Sequence, residues 1–135
     1  MYRTILVGTD GSATAHEAVD AAIRLAAPLG AHLHVLTVHD DAAAGVDALD
    51  AARALAREVG VECSTHSDSG HPGRAIVACA QAVGADLVVV GDKGMHGVNR
   101  LLTGTVPNFV AHNAPCSVLL VDSTRRAGDD SAATA

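Results

Sequence analysis

The sequence predicts an α/β fold: a doubly wound, five-stranded parallel sheet with helices on both faces. Three observations carry this. Short apolar runs alternate along the chain with longer stretches whose apolar residues recur at helical spacing. The short runs are apolar at nearly every position rather than at every second one, as in strands covered on both faces. Finally, the chain has 135 residues, 49% of them hydrophobic, yet its only aromatic residues are Tyr2 and Phe109. Its single core must therefore be built from Ala, Val, Leu and Ile, which suits helices laid closely on a sheet.

Thr4–Gly8 is the first strand and ends in the polar turn Thr9-Asp10-Gly11-Ser12. Thr14-x-x-Glu17 reads as a capping box, opening a helix through Ala15, Val19, Ala22, Ile23 and Ala26 that stops near Pro28 and Gly30. Leu33–Val38 is the second strand. Residues 42–59 form a second helix with Val46, Leu49, Ala52, Ala56 and Val59 on one face. Gly60 closes it, and Val61–Ser67 is a more polar third strand. Ser69-Gly70-His71-Pro72-Gly73 is a loop, followed by a helix from Arg74 to Val83 that Gly84 ends. Asp86–Val90, the most β-branched run, leads into Gly91-Asp92-Lys93-Gly94-Met95-His96-Gly97. A fourth helix is expected from about Thr105 to Asn113-Ala114-Pro115, and Ser117–Val121 is the last strand. Residues 122–135 offer nothing to bury and are expected to be a disordered tail, leaving one domain over 1–121. No internal repeat is visible.

Composition removes several function classes. The net charge is −6, which provides no electrostatic footprint for nucleic acid or an anionic membrane. Base-stacking modules need aromatic platforms that this chain lacks. No apolar stretch approaches a bilayer span, and Met1 leads into a strand without a charged leader. Cys63, Cys79 and Cys116 have no CxxC spacing and suit buried, reduced thiols. A soluble, cytoplasmic protein is expected.

In doubly wound sheets ligands bind beyond the carboxyl ends of the strands, where the strand order reverses. Two segments qualify by chemistry: Thr9-Asp10-Gly11-Ser12, and the glycine loop after the fourth strand. That loop reads Gly91-x-x-Gly94, nine residues, then Gly104-Thr105. Glycines let successive backbone N–H groups line a phosphate-sized hollow. Gly104-Thr105 falls at a helix start, where free N–H groups and the positive end of the helix dipole favour an anion. The pattern is neither a P-loop nor a dinucleotide GxGxxG.

Asp10 reads either as a ligand contact or as a turn residue and helix cap. Lys93, the only lysine, lies where it can reach a phosphate or remain solvated, and Arg100 suits a phosphate or a subunit contact. His32 and His34 share one face of the second strand at its amino end, away from the candidate site. A structural pair fits them better than metal ligands.

Strand one ending in Thr-Asp-Gly-Ser, Ser-Gly-His-Pro before helix three, Ala-Asp-Leu-Val-Val-Val-Gly, and Gly-x-x-Gly-x9-Gly-Thr followed by Ala-Pro-Cys-Ser-Val-Leu-Leu-Val resemble the universal stress proteins over about residues 2–121. The glycine motif marks that family's ATP-binding branch. The resemblance implies strand order 3-2-1-4-5, with ATP across the switch point between strands one and four. Asp10 would then meet the ribose and adenine side, with Thr9 before it among the cofactor-binding residues, Val38 the adenine through its backbone, and Gly91, Gly94, Gly104 and Thr105 the ribose and phosphates. Mg²⁺ would be held mainly by the phosphates. The family usually has Ser at Thr105, and Pro107 fits only in the first turn of the helix.

Positioning groups are present but no evident base for water, so the expected role is stress-response sensing or regulation with at most slow hydrolysis. The alternatives are a nucleotide-free dimerising scaffold of the same fold, and an adenylate-transferring enzyme, for which the chain leaves no second substrate domain. Val118, Leu119, Leu120 and Val121 form an apolar run that the implied order puts at a sheet edge. With neither Lys nor Pro to blunt it, this strand is expected to pair with its copy in a homodimer.

Overall fold

The computed structural model describes residues 2–10, 12–39, 42–91 and 105–122. Strands β1 (Thr4–Thr9), β2 (His32–Val38), β3 (Cys63–Asp68), β4 (Leu87–Gly91) and β5 (Ser117–Val121) form one parallel sheet in the order β3-β2-β1-β4-β5. Among the described residues four helices connect them: α1 (Ala13–Leu29), α2 (Ala42–Glu58), α3 (Pro72–Val83) and α4 (Thr105–Asn113). Right-handed crossovers place α1 and α2 on one face and α3 and α4 on the other. The sheet consequently separates two cores. Ile5, Val7, Leu33, Val35, Leu87 and Val89 meet Ala18, Ala22, Ala26, Ala52 and Ala56 on the first face. Leu6, Leu36, Val38, Val88 and Val90 meet Ile76, Ala80, Val106 and Val110 on the second. Alanine on the helices brings their backbones close to the β-branched sheet, so no aromatic filler is needed.

The cap of α1 differs from the expectation. Ser12, not Thr14, is the N-cap: its backbone is extended and its Oγ accepts from the Ala15 N–H at 3.2 Å. The polar turn after β1 thus passes directly into the helix, without room for a later box. On α2, Ala52 and Ala56 are buried, but Val46 is 54% exposed because its neighbour Gly45 takes the buried position in the first turn, and Val59, one residue past the helix end at Glu58, is 53% exposed. Helix α3 starts two residues earlier than expected. His71 is its N-cap, with Nδ1 accepting from the Arg74 N–H at 3.2 Å, and Pro72 opens the first turn.

One closure ends three helices. Gly30 and Gly84 are left-handed at φ 64° and 68°, a conformation that disfavours any side chain. The following N–H then reaches back: Ala31 to Ala26 O at 3.1 Å, Ala85 to Ala80 O at 2.9 Å, and, after Gly60, Val61 to Ala56 O at 2.9 Å. Each time a buried alanine accepts, and a small apolar residue follows the glycine. The amino edge of the sheet has a further tie. The Asp86 carboxylate accepts from the N–H groups of Arg3 and Thr4, at 2.9 and 3.1 Å, and so sets β1 beside β4. Residues 123–135, most of the expected tail, lie outside the described residues.

Candidate functional site

All five strands end at one edge, and the order 3-2-1-4-5 puts the reversal between β1 and β4, where a crevice opens in such sheets. Thr9 is the last residue of β1 and is buried. Asp10 follows, half buried, with Oδ1 accepting from the Ser12 N–H at 2.9 Å. This Asx turn holds the carboxylate at the strand end and aims α1 away from it. Asp10 is therefore a turn residue in fact, and its place at the switch point leaves both readings of it compatible.

Register explains Val38. His32 donates its N–H to Arg3 O at 2.8 Å, whereas Leu33 and His39 donate to Glu62 O at 2.8 Å and Asp68 O at 3.1 Å. Even-numbered residues of β2 therefore direct their backbone groups toward β1, and odd-numbered ones toward β3. Val38 is even. The β1–β2 register ends at Thr9↔Thr37, so the Val38 carbonyl is directed beyond the last matched pair, toward the crevice side.

Gly91 is buried and closes β4. The β1–β4 register includes Val7↔Val89, and two further residues on each strand bring Thr9 and Gly91 level. Thr105 is the first residue of α4. That helix runs back toward the amino edge, where Ser117 of β5 is matched with Leu87, so its N-terminus lies at the carboxyl edge. Pro107 falls in its first turn, where its missing N–H costs nothing. The fold thus brings Thr9, Asp10, Val38, Gly91 and the start of α4 to one edge. Gly94, Gly104, Lys93 and Arg100 lie outside the described residues.

Three polar residues at this edge carried no signal in the sequence. Thr37 is 1% exposed and its Oγ1 has no hydrogen-bond partner, nor has the buried Nδ1 of His39. The His39 Nε2 lies 3.0 Å from Ser67 Oγ, and its ring rests over Gly45 in the first turn of α2. These contacts join three elements and become visible only once the register is known.

His32 and His34 lie toward the amino edge as expected, but a third ring joins them. His34 Nδ1 is 2.9 Å from His66 Nε2, and His32 stacks on His34 with centroids 4.5 Å apart. Among the described residues no group of three or more His, Cys, Asp or Glu is arranged to hold a metal ion. The three cysteines are half-buried free thiols. Burial pushes each thiol up from its ordinary value, a rise reinforced by Asp68 at Cys79 and by Asp86 at Cys116 and opposed by Arg53 at Cys63. Such thiols are poor nucleophiles at neutral pH. Among the described residues no helix is long and apolar enough to cross a membrane.

These features define a doubly wound α/β protein whose candidate site lies at its switch point. Residues 1–52 and 41–122 match the Universal stress protein family, and the chain belongs to that family. It is 31% identical to Universal stress protein MJ0531 of Methanocaldococcus jannaschii over 145 residues, covering 93% of this chain and 85% of that one. A universal stress protein solved in complex with cAMP is 36% identical with a TM-score of 0.77, covering 89% of this chain and 96% of the other. The structure of MJ0577 shares the fold, with a TM-score of 0.79 at 23% identity over 90% of this chain and 96% of its own.

Proposed function

We propose that this protein binds an adenine nucleotide, ATP with Mg²⁺ in the first instance, and acts in the cytoplasm as a stress-response sensor or regulator with at most slow hydrolysis. The observation that supports this reading is that Asp10, Val38, Gly91 and the start of α4 share the carboxyl edge of the sheet, on which the reversal between β1 and β4 falls. A carbonyl directed past the ladder suits the exocyclic amine of adenine, an acceptor for a donor. The Asp10 carboxylate suits ribose hydroxyls. Gly91, with Gly94, Gly104 and Thr105 from the sequence motif, would hold ribose and phosphates. Mg²⁺ would be carried by the phosphates and keep much of its water, since Asp10 alone is not a carboxylate cage. The similar protein solved with cAMP supports an adenine ligand.

Assembly belongs to the same proposal. β5 is an edge strand paired with β4 alone, and Leu119 and Leu120 are 40% and 49% exposed. Adjacent residues of a strand face opposite sides, so an apolar side chain stands open on each face. Pairing Val118–Val121 with its copy about a two-fold axis would cover both.

The test is a thermal-shift titration with ATP–Mg, ADP, AMP and cAMP. Binding raises the melting temperature as RT ln(1 + [L]/Kd), so micromolar affinity gives a rise that grows with ligand through the millimolar range. Absence of a shift with all four at millimolar concentration refutes the nucleotide reading and leaves the scaffold. Valine at Gly94 or Gly104 should abolish the shift without unfolding the protein.

A further inference from the structure

We propose that His32, His34 and His66 form a proton-sensitive latch that holds the edge strand β3 on β2 and is released by acid. The rings form one stack across the two strands, with centroids 4.5 Å apart from His32 to His34 and 5.1 Å apart from His34 to His66. Both ends are tied. His32 Nε2 lies 2.7 Å from Ser64 Oγ, and His34 Nδ1 lies 2.9 Å from His66 Nε2. In the neutral pair one imidazole donates its hydrogen to the other. One added proton goes to an outward ring nitrogen and keeps the bond, because a cationic ring still donates to a neutral one. A second added proton leaves two donors facing each other, and the bond is lost.

The surroundings oppose that charging. Burial, then His32, then His66 hold the His34 pKa down at about 4. β1 meets His34 with the apolar Leu6. On α3, on the same side of the sheet, the Cys79 thiol is itself kept neutral by burial and by Asp68. Glu62 is the anionic group at the stack, with Oε1 3.6 Å from His32 Nδ1, and Asp68 lies two residues beyond His66.

The sign follows from linkage. In the unfolded chain His34 takes up its proton near its ordinary 6.5; folded, it does so near 4. Stability held through neutral His34 is complete above that ordinary value and is lost as pH falls toward 4. The element that yields is β3, which among the described residues pairs with β2 alone and has no fully buried residue, so little buried area opposes its release.

The test is amide exchange on the intact chain at about pH 7.5 and about pH 4.5, read as protection factors. Leu33 N–H to Glu62 O and His39 N–H to Asp68 O report the two ends of the β2–β3 ladder, and Asp86 N–H to Thr4 O serves as reference in the β1–β4 region. Acid should lower protection at Leu33 and His39 by up to about seventyfold relative to Asp86, and His34→Gln should remove that difference. Imidazole NMR of the wild type gives a second reading, with the His34 ring staying neutral well below its ordinary 6.5. The latch is overturned if Leu33 and His39 track Asp86, if His34→Gln keeps the full acid effect, or if His34 protonates at its ordinary value.

Discussion

Replacing Gly45 by alanine tests how tightly the carboxyl edge is packed. Gly45 lies in the first turn of α2, and helix propensity alone makes Gly45→Ala stabilising by about 1 kcal/mol. The packing says otherwise. A Cβ at Gly45 would run into the His39 ring and stand 3.0 Å from Thr37 Cγ2. The ring can move only by giving up its 3.0 Å contact with Ser67, which costs about 1 kcal/mol. Thr37, 1% exposed, cannot retreat, and overpacking of this kind costs about 1–3 kcal/mol. The net expectation is destabilisation of about 1–2 kcal/mol. In a His39→Ala background the nearer obstacle is gone and the 3.0 Å approach to Thr37 Cγ2 remains, so Gly45→Ala should stabilise by less than the roughly 1 kcal/mol that propensity alone supplies. Urea unfolding of the four proteins closes the cycle, with an expected coupling of about 2 kcal/mol. If Gly45→Ala stabilises the parent, or the coupling is below about 0.5 kcal/mol, the packing argument is refuted.

Asp10→Ala should weaken nucleotide binding by about 1–3 kcal/mol in calorimetric titration, and unchanged affinity would leave Asp10 only its turn to Ser12. Leu119→Asp combined with Val121→Asp should convert a dimer into a monomer in sedimentation; a monomeric parent at tens of micromolar, or a double mutant that stays dimeric, rules the β5 interface out. Asp86→Ala strands two backbone donors, those of Arg3 and Thr4, and should lower stability by about 1–2 kcal/mol in thermal unfolding. An unchanged midpoint would mean that water replaces the carboxylate at no cost.

The strands and their parallel arrangement were legible because Thr4–Gly8 and Asp86–Val90 are apolar at almost every position, which only a two-sided burial explains. The order 3-2-1-4-5 came from the family resemblance, and the sheet has it. Asp10, Gly91 and Thr105 were legible as an edge-forming set for a simpler reason: each directly follows or closes a strand, or opens a helix. What stayed hidden depends on register. Nothing in the spacing of His32 and His34 announces His66, which reaches them only because β3 is matched so that Ser64 stands beside His34. The Asp86 clamp spans most of the chain and leaves no local trace. The cap at Ser12 was missed for another reason, because Ser12 and Thr14 are both good caps and the Asp10 turn decides between them. Val46 and Val59 have the right period for a buried face, yet Gly45 takes the buried position beside Val46, and the helix ends at Glu58, before Val59.

The repeated helix ending at Gly30, Gly60 and Gly84 has a consequence for how this chain can be altered. Three separate crossovers return to the sheet through the same joint, an alanine four residues ahead of a glycine and a small residue after it. The opposite edge has no such shared joint: Ser12 and His71 each cap a helix by accepting from the third residue on, but one follows the Asp10 turn and the other precedes a proline in the first turn. The molecule is thus a platform with interchangeable upper connections and uniform lower ones. Segments grafted between β2 and α2, or between β3 and α3, would leave strand register untouched, because register is set from below. A change of the same size at any of the three glycine joints would shift a strand lengthwise and carry its side chains away from both layers at once.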